Sequence, residues 1–386
     1  MVENSNDGDE LETKTKRDTL MVFKSHRGPV LCGSLSKDVQ FAVTGGADSK
    51  VYLHDLRTFG SVILTMTFFG KELYTYVDFS YDDRYIAIGD NNGTIQVYKK
   101  YINLNALIVH QHECNEKFVW IQWHHTILNR LLGLSLDGRI YSWDVPSRPK
   151  SIKPFNAETT TACLTSDGNK LIVGCRTGTL NVVDLITGVL LTTVTPDIGH
   201  TSDITSVDCH ANNLIISGAM DGKTIISDAN TGEVIIVLHD VYVGKQRNIM
   251  QFFGMREFCD PSVMRNWTES IAIQKNVVLP MAATGTFWGE IFIWDVESKL
   301  MQHKLTHGGV TRLMWKENTS ILFSASMYGN IKSFNGTTGE CLYTFKCEGL
   351  SHLHSFCLSS DGKKMLTTTD DGVAVFDIED DLLTES

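Results

Sequence analysis

The 386-residue chain has no apolar run near the ~20 residues that a membrane-spanning helix needs, and no charged-then-apolar leader at its start. Its nine cysteines are scattered without a C-x-x-C pair. That spacing excludes a zinc knot of the usual kind, and it points to a reducing compartment, the cytoplasm, rather than to a disulfide framework. Bases are in deficit, 34 Lys and Arg against 45 Asp and Glu, for a net charge of −11. Such a chain is a poor match for nucleic-acid phosphates and a better one for a basic protein or peptide. No G-x-x-x-x-G-K-[ST], H-E-x-x-H or G-x-S-x-G element occurs, so three common routes to chemistry lack their signatures. HQHEC at 110–114 would set His110 and His112 on one face of a strand. Its spacing supplies no converging third and fourth ligand, even with His124 and His125 nearby. No catalytic site, metal or other cofactor is expected.

What the chain does have is a repeated unit. Residues 171–190 read LIVGCRTGTLNVVDLITGVL: an apolar strand, a Gly turn, a second strand ending on Asp, and a Thr-Gly turn. The pattern recurs eight times, closing at Asp55, Lys99, Asp144, Asp184, Asp228, Asp295, Asn335 and Asp377. The spacings are 44, 45, 40, 44, 67, 40 and 42 residues. A period of about 40–45 residues with four short strands per unit predicts an all-β, eight-bladed β-propeller. The eighth copy stops after its third strand. LMVF at 20–23 is therefore expected to supply the missing outer strand and close the ring, since an open ring leaves unpaired strand edges. The expected organisation is a disordered polar tail at 1–18, one propeller over 19–379, and an acidic tail at 380–386. The 67-residue interval carries an insertion at about 239–270, rich in Met and Phe. Its Ile249, Phe252, Phe253 and Arg256 have helical spacing, which suits a turn of helix on the rim. A closed ring has little need of an oligomeric interface, and a monomer is expected.

His26, His200 and His307 open their repeats. The sets His26, Thr44, Asp48 and His200, Ser217, Asp221 resemble a nucleophile–base–acid triad, but they recur at equivalent repeat positions. A network that recurs serves the scaffold, whereas catalysis needs one unique constellation. The tight turns between second and third strands all fall on one face of the disc. Their residues in copies five to seven are Met220, Phe287, Trp288, Met327 and Tyr328, where turns are normally polar. Copy eight adds Asp370 and Asp371, copy two adds Asp90, and the loop before copy two adds Glu72. An apolar–aromatic patch beside acids fits a basic segment with a few apolar anchors.

The chain resembles the angio-associated migratory cell protein family of WD-repeat proteins, whose fungal branch is a dedicated ribosomal-protein chaperone. The resemblance rests on FVWIQWHHTILNRLLGLSLDGRIYSWDVPS at 118–147, LTSDGNKLIVGCRTGTLNVVDLITG at 164–188 and GHTSDITSVDCHANNLIISGAMDGKTIISDANTGEVI at 199–235. It continues through VVLPMAATGTFWGEIFIWD at 277–295 and GGVTRLMWKENTSILFSASMYGNIKSFNGTTGECL at 308–342. It implies an eight-bladed cytosolic propeller that holds the basic N-terminal segment of a newly made ribosomal protein, in support of ribosome biogenesis. The acidic N-terminal stretch of that family is short here, with six acids and three bases in residues 1–18. Two other functions remain open: a scaffold in cell migration or signalling, and a substrate receptor of a cullin–RING ubiquitin ligase. The latter is suggested by VYLHDLR at 51–57, which approximates a W-D-x-R box with His54 in place of Trp.

Overall fold

The computed structural model describes residues 16–17, 20–67, 73–100, 106–114, 116–240, 266–275, 277–346 and 352–378. Most of the N-terminal tail, the rim helix expected within the insertion, the acidic C-terminal tail and Glu72 lie outside the described residues.

The described strands form eight separate sheets, each built from consecutive antiparallel strands, with two additions from the N-terminal end of the chain, one at the ring closure and one on blade 7. Blade 1 runs Val30–Leu35, Phe41–Gly46, Lys50–Asp55 and Ser61–Thr67. Blades 2 to 7 open with Tyr74–Phe79, Phe118–Trp123, Thr159–Leu164, Ile204–Cys209, Thr268–Ile273 and Val310–Trp315. Blade 8 has Leu353–Leu358, Lys364–Thr369 and Val373–Asp377, and its fourth strand is Met21–Phe23 from the other end of the chain. Met21, Val22 and Phe23 pair antiparallel with Val375, Ala374 and Val373. The eight blades and the N-terminal closing strand expected from the repeats are therefore what the chain forms. Lys16–Arg17, inside the stretch expected to be tail, adds a short parallel strand beside Cys341–Lys346 of blade 7.

Burial follows position in the blade. Second strands such as FAVTGG, YIAIGD and ILFSAS are buried at every residue, because both faces of a blade pack on neighbours. The outer strand LMQHKLT of blade 6 has no fully buried residue. Among the described residues the buried apolar side chains fall into eight clusters, one in each seam between adjacent blades. Phe323, Phe345, Phe356 and Phe376 fill the seam between blades 7 and 8, and Phe23, Val30, Leu366 and Val375 fill the closing seam. The core is thus a ring of eight seams, and each blade is stabilised by its two neighbours.

Every innermost strand skips register between its first and third residues, a bulge that recurs in all eight blades. The bulge re-aims the second residue at the mouth of the central channel. Thr160 and Thr205 sit there, and their hydroxyls donate to Ile204 O and Thr268 O of the following blade, at 2.5 Å each.

Candidate functional site

The face is built by one repeated hydrogen bond. In each blade the first residue of the turn between strands two and three donates its N–H to the carbonyl of a residue just before strand one. The pairs are Ala47–Pro29, Asn91–Leu73, Leu136–Lys117, Arg176–Glu158, Met220–Asp203, Phe287–Trp267, Met327–Gly309 and Asp370–His352. These turns and the inter-blade loops therefore share one side of the disc.

Below that face lies the scaffold network. In blade 1, His26 Nδ1 meets Asp48 at 2.8 Å and Nε2 meets Thr44 Oγ1 at 2.9 Å. Thr44 Oγ1 continues to His54 Nε2 at 3.0 Å, and His54 Nδ1 to Gly60 O at 3.1 Å. His54, the departure from the W-D-x-R pattern, is thus the fourth member of a buried chain, and burial pushes its pKa down to about 4. Arg57 turns back on Asp55 with two guanidinium contacts, at 2.9 and 2.7 Å. In blade 5, His200 contacts Asp221 at 3.2 Å and Ser217 at 2.9 Å. Burial lifts the Asp221 pKa, but the His200 contact and the amides of Thr201 and Lys223 outweigh it and hold the carboxyl below its usual range. In blade 7, His307 Nδ1 meets Ser324 at 2.9 Å. Among the described residues its Nε2 has no hydrogen-bond partner, because Tyr328 stands where Asp221 stands in blade 5. Burial, then Lys332, lowers the His307 pKa to about 3.

The aromatic side chains gather in blades 6 and 7. Phe287 stacks on Trp267 with centroids 4.3 Å apart, and Trp288 packs edge-on to Phe287 at 5.3 Å. Gly289 follows at φ +95 and lies against the loop of blade 7, where an added Cβ would stand 2.5 Å from His307 O. That loop's Gly308 lies under the Tyr328 ring and Gly309 under Met327. Met220 and Tyr328 are about half exposed, while Phe287, Trp288 and Met327 are half-buried. Trp267 belongs to the patch, although the sequence placed it in the insertion.

The acids divide by environment. Asp90 is buried, and its carboxylate accepts the amides of Asn92 and Thr94, which commits it to its own turn. Asp370 is held between His352 Nδ1 at 3.1 Å and His354 Nε2 at 2.6 Å, and Asp371 beside it is exposed. Glu269, at a bulge position on the channel mouth, accepts the Trp267 indole N–H at 2.7 Å and so joins the aromatic patch to a charge. Farther round, Arg176 pairs with Glu158 at 2.8 Å, Lys304 with Glu290 at 2.7 Å, and Arg139 with Asp137 at 3.2 Å. Glu269 thus meets an indole, and Asp370 two imidazoles.

The described histidines of the 110–125 stretch, His112, His124 and His125, each have separate contacts. The His112 ring packs against Tyr141 and Trp143, His124 Nε2 bonds Gly168 O, and His125 Nε2 bonds Ser166 O. The side chain of His110 lies outside the described set.

The fold is an eight-bladed β-propeller. The family model for the WD domain, G-beta repeat, matches residues 17–55 and 188–228. Over 92% of its length the chain is 27% identical to the angio-associated migratory cell proteins of Canis lupus familiaris and Homo sapiens, covering 78% of each. The resemblance read from the sequence therefore runs along nearly the whole chain. Among solved structures it is similar to Saccharomyces cerevisiae Sqt1, with TM-score 0.79, 19% identity, and coverage of 94% of this chain and 99% of that one. It is also similar to Chaetomium thermophilum Sqt1 bound to the N-terminus of the ribosomal protein L10, with TM-score 0.78, 16% identity, and coverage of 94% and 100%. Among the described residues no helix is long and apolar enough to cross a membrane.

Proposed function

We propose that this protein is a non-catalytic binding propeller of the cytosol, a dedicated chaperone that holds a basic segment of a newly made ribosomal protein until assembly. The observation that carries the reading is the presence of an aromatic patch (Trp267, Phe287, Trp288, Tyr328) and of acids (Glu269, Asp370, Asp371) on one face. Apolar anchors of the client would seat on the rings, and its Lys or Arg side chains would reach the carboxylates. The similarity to Sqt1, whose solved complex contains the N-terminus of L10, supports the choice of client.

The test has two parts. Capture from cytosol at low salt should retain one stoichiometric basic ribosomal protein, which high salt sheds because exposed charge pairs are screened. In vitro, a basic N-terminal L10 peptide should bind the full chain, with Trp267→Ala and the double variant Asp370→Lys, Asp371→Lys each weakening it at least tenfold. Normal binding by both variants would refute the assignment of the face. A ligase adaptor, or many weak signalling partners in place of a ribosomal protein, would replace the chaperone reading altogether.

A further inference from the structure

No ligand-like spacing in the sequence marks blades 4 and 5, yet a ligand set forms where their innermost strands meet. Cys163 is the fifth residue of Thr159–Leu164, and Asp208 and Cys209 close Ile204–Cys209. The two thiol sulfurs and a carboxylate oxygen all lie within 4.8 Å of one another, the one such group of His, Cys, Asp or Glu among the described residues. We propose that Cys163, Cys209 and Asp208 form a site for a divalent cation of the zinc class, in the seam between blades 4 and 5 and open to the central channel.

Four observations carry it. The donor set is right: thiolate sulfur and carboxylate oxygen are both zinc ligands, and three protein ligands leave a fourth, open position for water. Tetrahedral coordination with Zn–S bonds of ~2.3 Å needs the sulfurs ~3.8 Å apart, so the group contracts by about 1 Å at most. The carboxylate is already oriented. Asp208 Oδ1 accepts Cys209 N–H at 2.9 Å, and Oδ2 accepts Ile273 N–H from blade 6 at 3.0 Å, the kind of outer contact that fixes a ligating group. Charge also balances. The Lys275 ammonium stands 3.5 Å from Asp208 Oδ1. Two thiolates and a carboxylate carry −3, while the cation and Lys275 carry +3, so binding exchanges two thiol protons for one divalent ion at no net charge. Finally, the site is reachable. Asp208 and Lys275 line a cavity of about 860 Å³ in the channel. Cys209 Sγ donates to Leu164 O at 3.4 Å, a bond that gives way when the thiol loses its proton to the cation. The other buried thiols lie away from a carboxylate, with Cys32 donating to Gly45 O and Tyr74 O and Cys175 accepting from Asn181.

The test uses the full chain, reduced and stripped with a chelator, and Co²⁺ as a spectroscopic probe. The expected result is a thiolate-to-cobalt charge-transfer band that saturates at one equivalent. It should vanish in Cys163→Ser and Cys209→Ser, weaken at least tenfold in affinity in Asp208→Asn, and persist in Cys341→Ser, which removes an exposed thiol. On the wild-type chain, one equivalent of Zn²⁺ should slow alkylation of Cys163 and Cys209 and leave Cys341 unchanged, a readout independent of whether the serine variants fold. No band, a band that survives loss of both cysteines, or thiols that only oxidise to a disulfide under peroxide without taking up metal would each overturn the proposal.

Discussion

His307 should make the protein acid-sensitive in a way that one substitution removes. Its ring is buried, Lys332 is its named charged neighbour, and one nitrogen lacks a partner, which together hold its folded pKa at about 3 against 6.5 unfolded. Between about pH 3 and 6.5 the unfolded chain therefore binds one more proton than the folded chain. The stabilisation is complete above pH 6.5 and is lost as pH falls toward 3, at about 1.4 kcal/mol per pH unit. Between pH 6.5 and 5 that amounts to about 2 kcal/mol. Other groups complicate the raw profile. His54, with a folded pKa of about 4, works in the same direction. Asp78 works in the opposite one, because burial raises it to about 6 and the folded state then binds the extra proton between pH 3.8 and 6. Only a difference between two proteins isolates His307. His307→Asn keeps a donor for Ser324 and cannot titrate. We expect urea denaturation, followed by tryptophan fluorescence, to show wild type ahead at pH 7.5 and the gap closing by about 2 kcal/mol at pH 5. A gap that stays constant across that range refutes the account.

Four further outcomes test the scaffold. Asp221→Ala should cost about 2–4 kcal/mol, measured by denaturant midpoint, because His200 and the amides of Thr201 and Lys223 lose their common acceptor. Phe23→Ala should cost about 3–5 kcal/mol and raise hydrogen exchange in Val373–Asp377 before other blades, since Phe23 fills the closing seam and packs on His54 at 4.3 Å. Gly178→Ala should cost more than about 2 kcal/mol, because the residue sits at φ +80 and its Cβ would stand 2.2 Å from His200 O. Gly28→Ala, with nothing within 4 Å, should change the melting temperature little.

The blade count was legible because the Gly turn and closing Asp recur at a near-constant period, and each is required by geometry rather than by partner choice. Ring closure was legible for the same reason: a three-stranded eighth copy has to borrow a strand. The face was legible only in part. Trp267 was hidden because the long interval obscured where blade 6 begins, yet it holds the same register as Glu158 and Asp203, its carbonyl accepting the Phe287 N–H in the turn of its own blade. Asp90 was offered as a surface acid, and sequence alone does not separate an acid that faces solvent from one that caps its own turn. The signal was present in DNNGT, where amides two and four residues on are in reach of the carboxylate. Cys163 and Cys209 carried no signal, because the two residues lie 46 positions apart and meet only when two blades pack.

The departures from the repeat are themselves informative. Blades 1 and 5 spend their turn Asp on a buried His, and the result is a fully paired network. Blade 7 keeps the His but puts Tyr328 in the Asp position, which leaves an unpaired buried nitrogen and the acid sensitivity worked out above. Blade 6 puts Trp288 there and rebuilds the network around Asn266, which bonds Thr286 at 3.0 Å and Glu290 at 3.0 Å. Both changes weaken or rework the scaffold, and both place an aromatic ring on the same side of the disc in adjacent blades. A repeat that gives up a stabilising acid in two neighbouring copies, and gains rings in both, is under a local demand other than folding. The demand predicts a trade. Tyr328→Asp should restore a partner for His307, raise stability most below pH 6.5, and weaken binding of the basic peptide. A variant that gains acid stability and binds as before would separate the two effects and remove Tyr328 from the binding face.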